Sequence, residues 1–195
     1  MDGTQINQLA AALTGNHFIS SVLHRWPEVN LPNGWLAAGA IAQTVWNIAH
    51  GRAPEADIKD IDLVYFDGDD LSAEAELRNE ARIRELFGNL GVAVDVKNEA
   101  RVHLWYQAKF GTSIPPYRSV EEAITTFPTT ATAIGVRPQG SRLEVYAPFG
   151  LDDLLGLVVR PNKAQITQAI YEAKVARWHL CWPELKICGW HDTPA

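Results

Sequence analysis

The sequence predicts a mixed α+β fold, because helical and strand patterns alternate along its 195 residues without a repeating period. Residues 58–67 and 92–96 have the β-branched and apolar composition of strands in a sheet. No linker rich in Pro, Gly or Ser divides the chain. We therefore expect one domain over residues 1–195, with a mixed sheet flanked by helices and with N-terminal helices and a C-terminal helix packed on this core.

The first elements are predicted from apolar spacing and turn residues. Apolar residues at helical spacing indicate a helix over 4–13, which Gly15 and Asn16 end, and a second helix over 17–26. A turn at 31–34 leads into an apolar run at 35–39, which is short enough for a buried strand. Helical spacing returns over 40–50 and stops at Gly51.

The middle of the chain predicts two strands and their helices. The alternating strand at 58–67 is followed by a charged amphipathic helix over 71–90, which Gly91 ends. A second strand at 92–96 precedes a helix over 99–110. The order therefore places two strands close together in the chain, joined by one helix.

The last third begins with a capping box at 119–122, where serine precedes glutamate by three positions, and this predicts a helix start. Residues 130–137 and 142–147 are predicted to pair as strands across the turn Pro138-Gln139-Gly140-Ser141. A long helix over 165–180 closes the fold.

Composition limits the class of protein. Hydrophobic residues make up 47% of the chain and charged residues 21%, which is typical of a packed globular fold. The start of the chain does not resemble a signal peptide, and no run of about 18 apolar residues occurs, so we expect neither export nor membrane insertion. Two cysteines are too few for a disulfide framework, which favours reduced thiols and a cytoplasmic location.

The formal net charge is −6, whereas proteins that hold a long nucleic acid usually carry a basic stripe. This charge favours a small-molecule or protein partner, although it does not exclude RNA.

Two aspartates stand two positions apart on the strand at 58–67. Asp60 and Asp62 therefore point to one face of the sheet, and Asp95 lies in the centre of the next strand. Clustered carboxylates repel one another unless a cation or a proton neutralises them, and oxygen ligands suit Mg²⁺ or Mn²⁺. If the strands are neighbours, Asp60, Asp62 and Asp95 form a candidate metal and catalytic site. The alternative is a solvated pair on an edge strand and an isolated surface aspartate.

A glycine turn precedes the strand that carries these aspartates. Gly39 and Ala40 lie where a strand gives way to a helix, so their backbone N–H groups and the helix N-terminus could bind phosphate. The order is then strand, glycine turn, helix, D-x-D strand and third carboxylate.

Four motifs in this order resemble a bacterial family of nucleotidyltransferases in the DNA polymerase β-like superfamily. They are A-G-A-I-A-Q-T-V-W at 38–46, D-I-D-L-V-Y-F-D at 60–67, V-K-N-E-A-R-V-H at 96–103 and A-P-F-G-L-D-D-L at 147–154. The resemblance implies phosphate contact at Gly39 and Ala40 and metal ligation by Asp60, Asp62 and Asp95. It departs at Ala40, because many active members of the superfamily have Gly-Ser or Gly-Gly where this chain has Gly-Ala.

Some side chains near the predicted site leave two interpretations open. Arg101 is our preferred cation for the charge on bound triphosphate, but it could equally belong to the polar face of an ordinary helix. A base-stacking role for Trp35, Trp46 or Trp105 is an alternative to packing in the core.

Three functions remain open from the sequence. The first, which the resemblance implies, is metal-dependent transfer of a nucleotidyl group from a nucleoside triphosphate to an unidentified small-molecule or protein acceptor. The second is a catalytically weak nucleotide-binding or interaction module with the same fold. The third is a structural protein whose carboxylates are only solvated.

Overall fold

A computed structural model describes residues 2–192 of the chain. The helices are α1 (Gly3–Gly15), α2 (His17–His24), α3 (Trp26–Val29), α4 (Gly39–Ala49), α5 (Ala73–Leu86), α6 (Val102–Phe110), α7 (Val120–Ile124), α8 (Asp152–Leu155) and α9 (Gln168–Cys181). The strands are β1 (Trp35–Ala37), β2 (Asp60–Tyr65), β3 (Ala93–Asn98), β4 (Gly135–Gln139), β5 (Arg142–Tyr146), β6 (Val158–Val159) and β7 (Lys186–Ile187). A 3₁₀ turn over Glu99–Arg101 joins β3 to α6.

Five of these strands form one mixed sheet in the order β3-β2-β1-β4-β5. Strands β2 and β3 are parallel and α5 connects them, whereas β1 is antiparallel to both β2 and β4. The short strands β6 and β7 form a separate parallel pair. The expected mixed α+β fold, with a mixed sheet flanked by helices, is confirmed.

The two faces of the sheet are packed differently. One face presents apolar side chains such as Leu36, Ile61 and Val96 to the main core, which also includes residues from α1, α2, α4, α5 and α9. The opposite face carries Trp35 and Val64, which pack with residues of α7 in a smaller cluster. Burial alternates along the start of β2 because successive side chains point to opposite faces.

Helix α9 is fixed to the body of the protein by tryptophans. Trp178 and Trp182 both contact the buried ring of Trp46 on α4 edge-on, with centroids 5.1 and 5.4 Å apart. Trp182 also donates a hydrogen bond from Nε1 to Oδ1 of Asn47 at 2.8 Å. Residues nearly at the end of the chain therefore pack directly on the helix that follows β1.

Several predicted elements differ from the structure at their ends, such as the helix expected over 71–90, which ends at Leu86, and two of the differences have a clear local cause. The helix expected over 17–26 ends at His24, and α3 begins at Trp26 with Pro27 in its first turn, where proline lacks the N–H that would continue α2. The strand expected from residue 130 begins only at Gly135. Thr129 and Thr132 instead form a turn in which their hydroxyls are hydrogen-bonded at 2.8 Å, a local bond that competes with strand pairing.

Within residues 2–192, no helix combines the length and apolar character needed to cross a membrane.

Candidate active site

The predicted carboxylates lie on the two neighbouring parallel strands. Asp62 of β2 is directly opposite Asp95 of β3, and Asp60 precedes Asp62 on the same face. Asp60 is exposed and Asp62 is half-buried, whereas Ile61 between them is fully buried in the core. The alternation of the sequence thus separates charged from apolar side chains as predicted, and the strands are adjacent.

The environment of Asp62 raises the pKa of its carboxyl. Burial is the main cause that raises its pKa from 3.8 to about 6, and the negative charges of Asp60 and Asp95 raise it further. Lys174 and Lys97 act in the opposite direction but do not compensate. A carboxylate held in this environment is stabilised by any cation that binds beside it.

The N-terminus of α4 opens into the same cavity as Asp60 and Asp62, which has a volume of about 370 Å³ and which we call the carboxylate cavity. Gly39 is the first residue of α4 and lines this cavity. No side chain caps the helix, so its first N–H groups remain open to an anion. Ala40, the next residue, is 1% exposed and does not line the cavity.

Ala38, which precedes α4, has an unusual backbone conformation. Its φ of 60° and ψ of −127° belong to a region that glycine adopts readily and alanine does not. Its N–H donates to the carbonyl of Ile134 at 2.9 Å, which holds the turn against the residue that precedes β4. The sharp turn directs the start of α4 into the carboxylate cavity.

Two cations of α9 face the carboxylates across this cavity. Lys174 and Arg177 stand three positions apart on one face of the helix and both line the cavity. Burial, followed by the positive charge of Arg177, lowers the pKa of Lys174, whereas Asp62 and Asp60 raise it. Neither residue was singled out from the sequence, because they lie more than a hundred positions from Asp60 and follow an ordinary helical pattern.

Arg101 does not occupy the place expected for it. Its guanidinium binds Glu76 at 2.7 Å and the carbonyl of Leu71 at 2.8 Å. It is not among the residues that line the carboxylate cavity. The side chain of Arg101 thus ties the start of α6 to α5, and a role for it as a phosphate contact stays a prediction from the sequence.

Asp95 has a partner of its own. Lys97, two positions along β3, places Nζ 3.4 Å from a carboxylate oxygen of Asp95. Asp95 also does not line the carboxylate cavity, whereas Lys97 does. Participation of Asp95 in a metal site would thus require a cation to compete with Lys97.

Glu99 is a site residue that sequence analysis missed. Its side chain lines the carboxylate cavity, and the residue is 6% exposed. Burial, together with the negative charges of Asp62 and Glu76, raises the pKa of Glu99 to about 8. It follows β3 directly and lies within the V-K-N-E-A-R-V-H motif, but a single glutamate at a predicted helix start gives no signal of burial.

The donor set fits a metal ion only in part. Within residues 2–192, no three His, Cys, Asp or Glu side chains are close enough to enclose a metal. Mg²⁺ is commonly held by one or two carboxylates, with water and substrate phosphates completing its octahedron. Asp60 and Asp62, beside an open helix N-terminus, fit an ion that arrives with a triphosphate rather than a preformed protein cage.

Comparison with protein families agrees with this arrangement. A family model described as nucleotidyltransferase matches residues 24–187, which include every side chain described above at the site. The chain belongs to this nucleotidyltransferase family. The match confirms the resemblance to polymerase β-like nucleotidyltransferases that the four sequence motifs indicated.

This nucleotidyltransferase is also similar to a protein of solved structure. That solution structure is described as revealing a CCA-adding enzyme head domain, and it shares 26% sequence identity with this chain. The alignment covers 94% of this chain and 95% of the other, with a TM-score of 0.76. Comparison with curated proteins gave no significant match.

Proposed function

We propose that the protein transfers a nucleotidyl group from a nucleoside triphosphate to an acceptor hydroxyl, with Mg²⁺ or Mn²⁺ held by Asp60 and Asp62, and by Asp95 once the cation displaces Lys97. The observation that supports this most is the carboxylate cavity, where two aspartates, an uncapped helix N-terminus and two cations of α9 converge. Anionic and cationic groups in one cavity suit a metal-bound polyphosphate better than either a free anion or a free cation.

The reaction forms one bond and breaks one bond at the α-phosphorus. The acceptor oxygen bonds to this phosphorus, its proton passes to solvent, and pyrophosphate leaves with the electron pair of the broken P–O bond. In this scheme Gly39 and Ala40 bind phosphate oxygens through backbone N–H groups, and Lys174 and Arg177 stabilise the charge of the leaving pyrophosphate. The divalent ion supplies charge neutralisation and lowers the pKa of the attacking hydroxyl.

The acceptor is proposed to be a small molecule or a protein. The similar head domain is described as part of a CCA-adding enzyme, which would suggest a polynucleotide acceptor. The net charge of −6 argues against it, because polynucleotide binding normally requires a continuous basic surface. A cytoplasmic location stays a prediction from the sequence.

The second candidate is a nucleotide-binding module with little turnover. Ala40 favours it, because alanine provides no hydroxyl to hold a phosphate at the helix N-terminus. This candidate predicts metal-dependent nucleotide binding without pyrophosphate release for any acceptor.

The substitution Asp62→Asn tests the metal site. We expect it to abolish Mn²⁺ binding, and nucleotide binding that depends on Mn²⁺, because it replaces an anionic ligand with a weaker neutral one. Stability without metal should stay equal or increase, because a repelling charge is removed. Wild-type protein at a ligand concentration of about 100 times Kd should gain about 2.7 kcal/mol, or roughly 5–10 °C in Tm.

Asp69→Asn is the matched control, since Asp69 is exposed in the loop after β2. Melting curves in chelator, and titrations with Mn²⁺ followed by each of the four ribonucleoside triphosphates, give both measurements. A less stable Asp62→Asn protein with wild-type Mn²⁺ affinity would contradict the proposal.

A further inference from the structure

A second cavity adjoins the carboxylate cavity and plays no part in the scheme above. It has a volume of about 470 Å³, within the range of small-molecule sites, and we call it the aromatic cavity. Its walls include the rings of Trp105 and Phe110 from α6 and of Tyr117 and Phe127 from the loops around α7. The two cavities share Lys97, Glu99 and Lys174, so one bound complex could extend through both.

Two polar groups without partners face this apolar wall. Glu99 is 6% exposed, and its carboxyl makes no hydrogen bond with any residue in 2–192. The Oε1 atom of Gln165 accepts a hydrogen bond from the Tyr117 hydroxyl at 2.8 Å, whereas its amide nitrogen has no partner in the described part of the chain. Among the described residues, the buried side-chain atoms without a partner are Trp46 Nε1 and His103 Nδ1, so the free polar atoms of Glu99 and Gln165 are accessible from the cavity and available to hydrogen-bond a ligand.

The wall therefore matches a particular kind of molecule. Aromatic rings offer stacking to a flat ring, while a carboxyl and an amide offer hydrogen bonds to polar atoms on that ring's edge. An aliphatic chain would leave Glu99 and Gln165 unpaired, and a sugar would not use the aromatic faces fully. A planar heteroaromatic ring satisfies both sets of groups.

The strand register shows on which side of the carboxylates this cavity lies. Ala37 pairs with Asp62 in antiparallel β1 and β2, so Gly39 lies toward the beginning of β2. Val64 pairs with Lys97 in parallel β2 and β3, and Glu99 follows the end of β3. Asp62 thus lies between the phosphate-binding turn and the aromatic cavity.

In-line displacement requires the attacking and leaving oxygens to be on opposite sides of the phosphorus. With pyrophosphate leaving toward Gly39, the attack comes from the side of the aromatic cavity. We infer that the aromatic cavity binds the acceptor, a small molecule with a planar heteroaromatic ring and a nucleophilic hydroxyl. This inference rests on the proposed nucleotidyl transfer for its catalytic meaning, but ring binding can be measured independently.

The test uses the four free ribonucleosides as probes, since each carries a heteroaromatic ring and hydroxyls but no phosphate. Titration of the full-length protein in chelator, followed by NMR, should show binding of at least one of them, whereas ribose should not bind. Trp105→Ala and Phe110→Ala should each weaken this binding about tenfold, because stacking on an aromatic ring contributes about 1–3 kcal/mol. Leu104→Ala is the control, because Leu104 is 56% exposed on the same helix and does not line the cavity.

A second titration separates acceptor binding from binding of the nucleotide's own base. A non-hydrolysable nucleoside triphosphate with Mg²⁺ should bind together with the nucleoside, and neither should displace the other. Competition between them would overturn the acceptor assignment, and so would the absence of nucleoside binding or equal binding by the Trp105→Ala and Phe110→Ala variants. Binding of an oligoribonucleotide at least a hundredfold tighter than the nucleoside would also overturn it in favour of an RNA acceptor.

Failure of the proposed function has a different signature. It would appear as the absence of metal-dependent triphosphate binding, while nucleoside binding in chelator and its loss in the Trp105→Ala variant persist.

Discussion

The backbone of Ala38, at the turn before α4, is strained. Its positive φ places Cβ in an unfavourable position, a cost of about 1–3 kcal/mol that the surrounding structure must offset. We expect Ala38→Gly to raise the free energy of unfolding by about 1 kcal/mol. Glycine adopts this conformation without the steric penalty, and its greater conformational entropy in the unfolded state offsets only part of that gain. Urea denaturation measures the change.

Ala173→Gly provides the comparison for Ala38→Gly. Ala173 is exposed within α9, where glycine should cost about 1 kcal/mol. A loss of stability in both variants would mean that the turn at Ala38 is not strained.

Glu99 and Asp62 give the protein an unusual pH dependence. Both pKa values are raised on folding, to about 8 and about 6, so the folded state holds protons that the unfolded state releases. The free energy of unfolding therefore falls as pH rises, between about 4.5 and 8 for Glu99 and between about 4 and 6 for Asp62. Glu99→Gln should remove the fall in the free energy of unfolding that occurs above about pH 6. Asp62→Asn should reduce the fall that occurs below about pH 6.

The measurement is a series of urea denaturations from pH 5 to 8.5 in chelator, each variant compared with wild type. Glu74→Gln, an exposed glutamate in the first turn of α5, serves as the matched control. If the free energy of unfolding changes between pH 6 and 8 as steeply in Glu99→Gln as in wild type, the Glu99 carboxyl of the wild-type protein is already ionised in the folded state.

At the scale of the element, α9 brings positive charge to the site. Arg177 is exposed at the cavity and makes no ion pair with any residue in 2–192. We expect Arg177→Ala to weaken triphosphate binding about tenfold while Tm changes little, since a hydrogen bond to a charged group contributes about 1.5–3 kcal/mol. Isothermal titration with a non-hydrolysable nucleotide measures it.

Arg78→Ala is the control for Arg177→Ala, because it removes another exposed positive charge, from α5 and away from the cavity. Equal affinities for wild type and Arg177→Ala would exclude a direct role for Arg177 in nucleotide binding.

Elements differ in how well the sequence predicted them. Strands β2 and β3 could be predicted because alternation along β2 places Asp60 and Asp62 on one face, and a parallel crossover through one helix makes β2 and β3 neighbours. The start of α4 at Gly39 was predicted within one residue by its glycine. These features depend on residues close together in the sequence.

The contributions of distant elements could not be predicted in the same way. Lys174 and Arg177 reach the cavity only because α9 packs across α4, a contact made by tryptophans with no local pattern. Arg101 was expected near the phosphates, but it pairs with Glu76 of α5, and a partner on another helix leaves no local signal in the sequence. Charge alone does not reveal which of several cations tertiary packing will direct into a cavity.

At the scale of the whole molecule, the tryptophan contacts join the end of the chain to the helix that follows β1. Trp182→Ala should reduce the free energy of unfolding by about 3–5 kcal/mol, because it leaves a large cavity beside Trp46. Trp182→Phe keeps a ring but leaves the buried Oδ1 of Asn47 without its donor, which should cost about 1–3 kcal/mol. Urea denaturation of both variants measures this graded series.

The same series has a functional readout, because α9 carries Lys174 and Arg177. Triphosphate affinity should fall in the order wild type, Trp182→Phe and Trp182→Ala. Lost stability with unchanged affinity in both variants would show that the position of α9 does not depend on this contact.

The central position of β1 determines when this protein can finish folding during synthesis. One edge of β1 pairs with β2, which follows soon after it, but its other edge pairs Leu36 with Val136, roughly a hundred residues later. Until β4 leaves the ribosome, the nascent chain exposes the unpaired backbone of an apolar strand, the kind of edge that recruits other chains. The middle of the sheet is therefore completed late, and the nascent chain is most exposed to misassociation or chaperone capture while residues between β3 and β4 are being made.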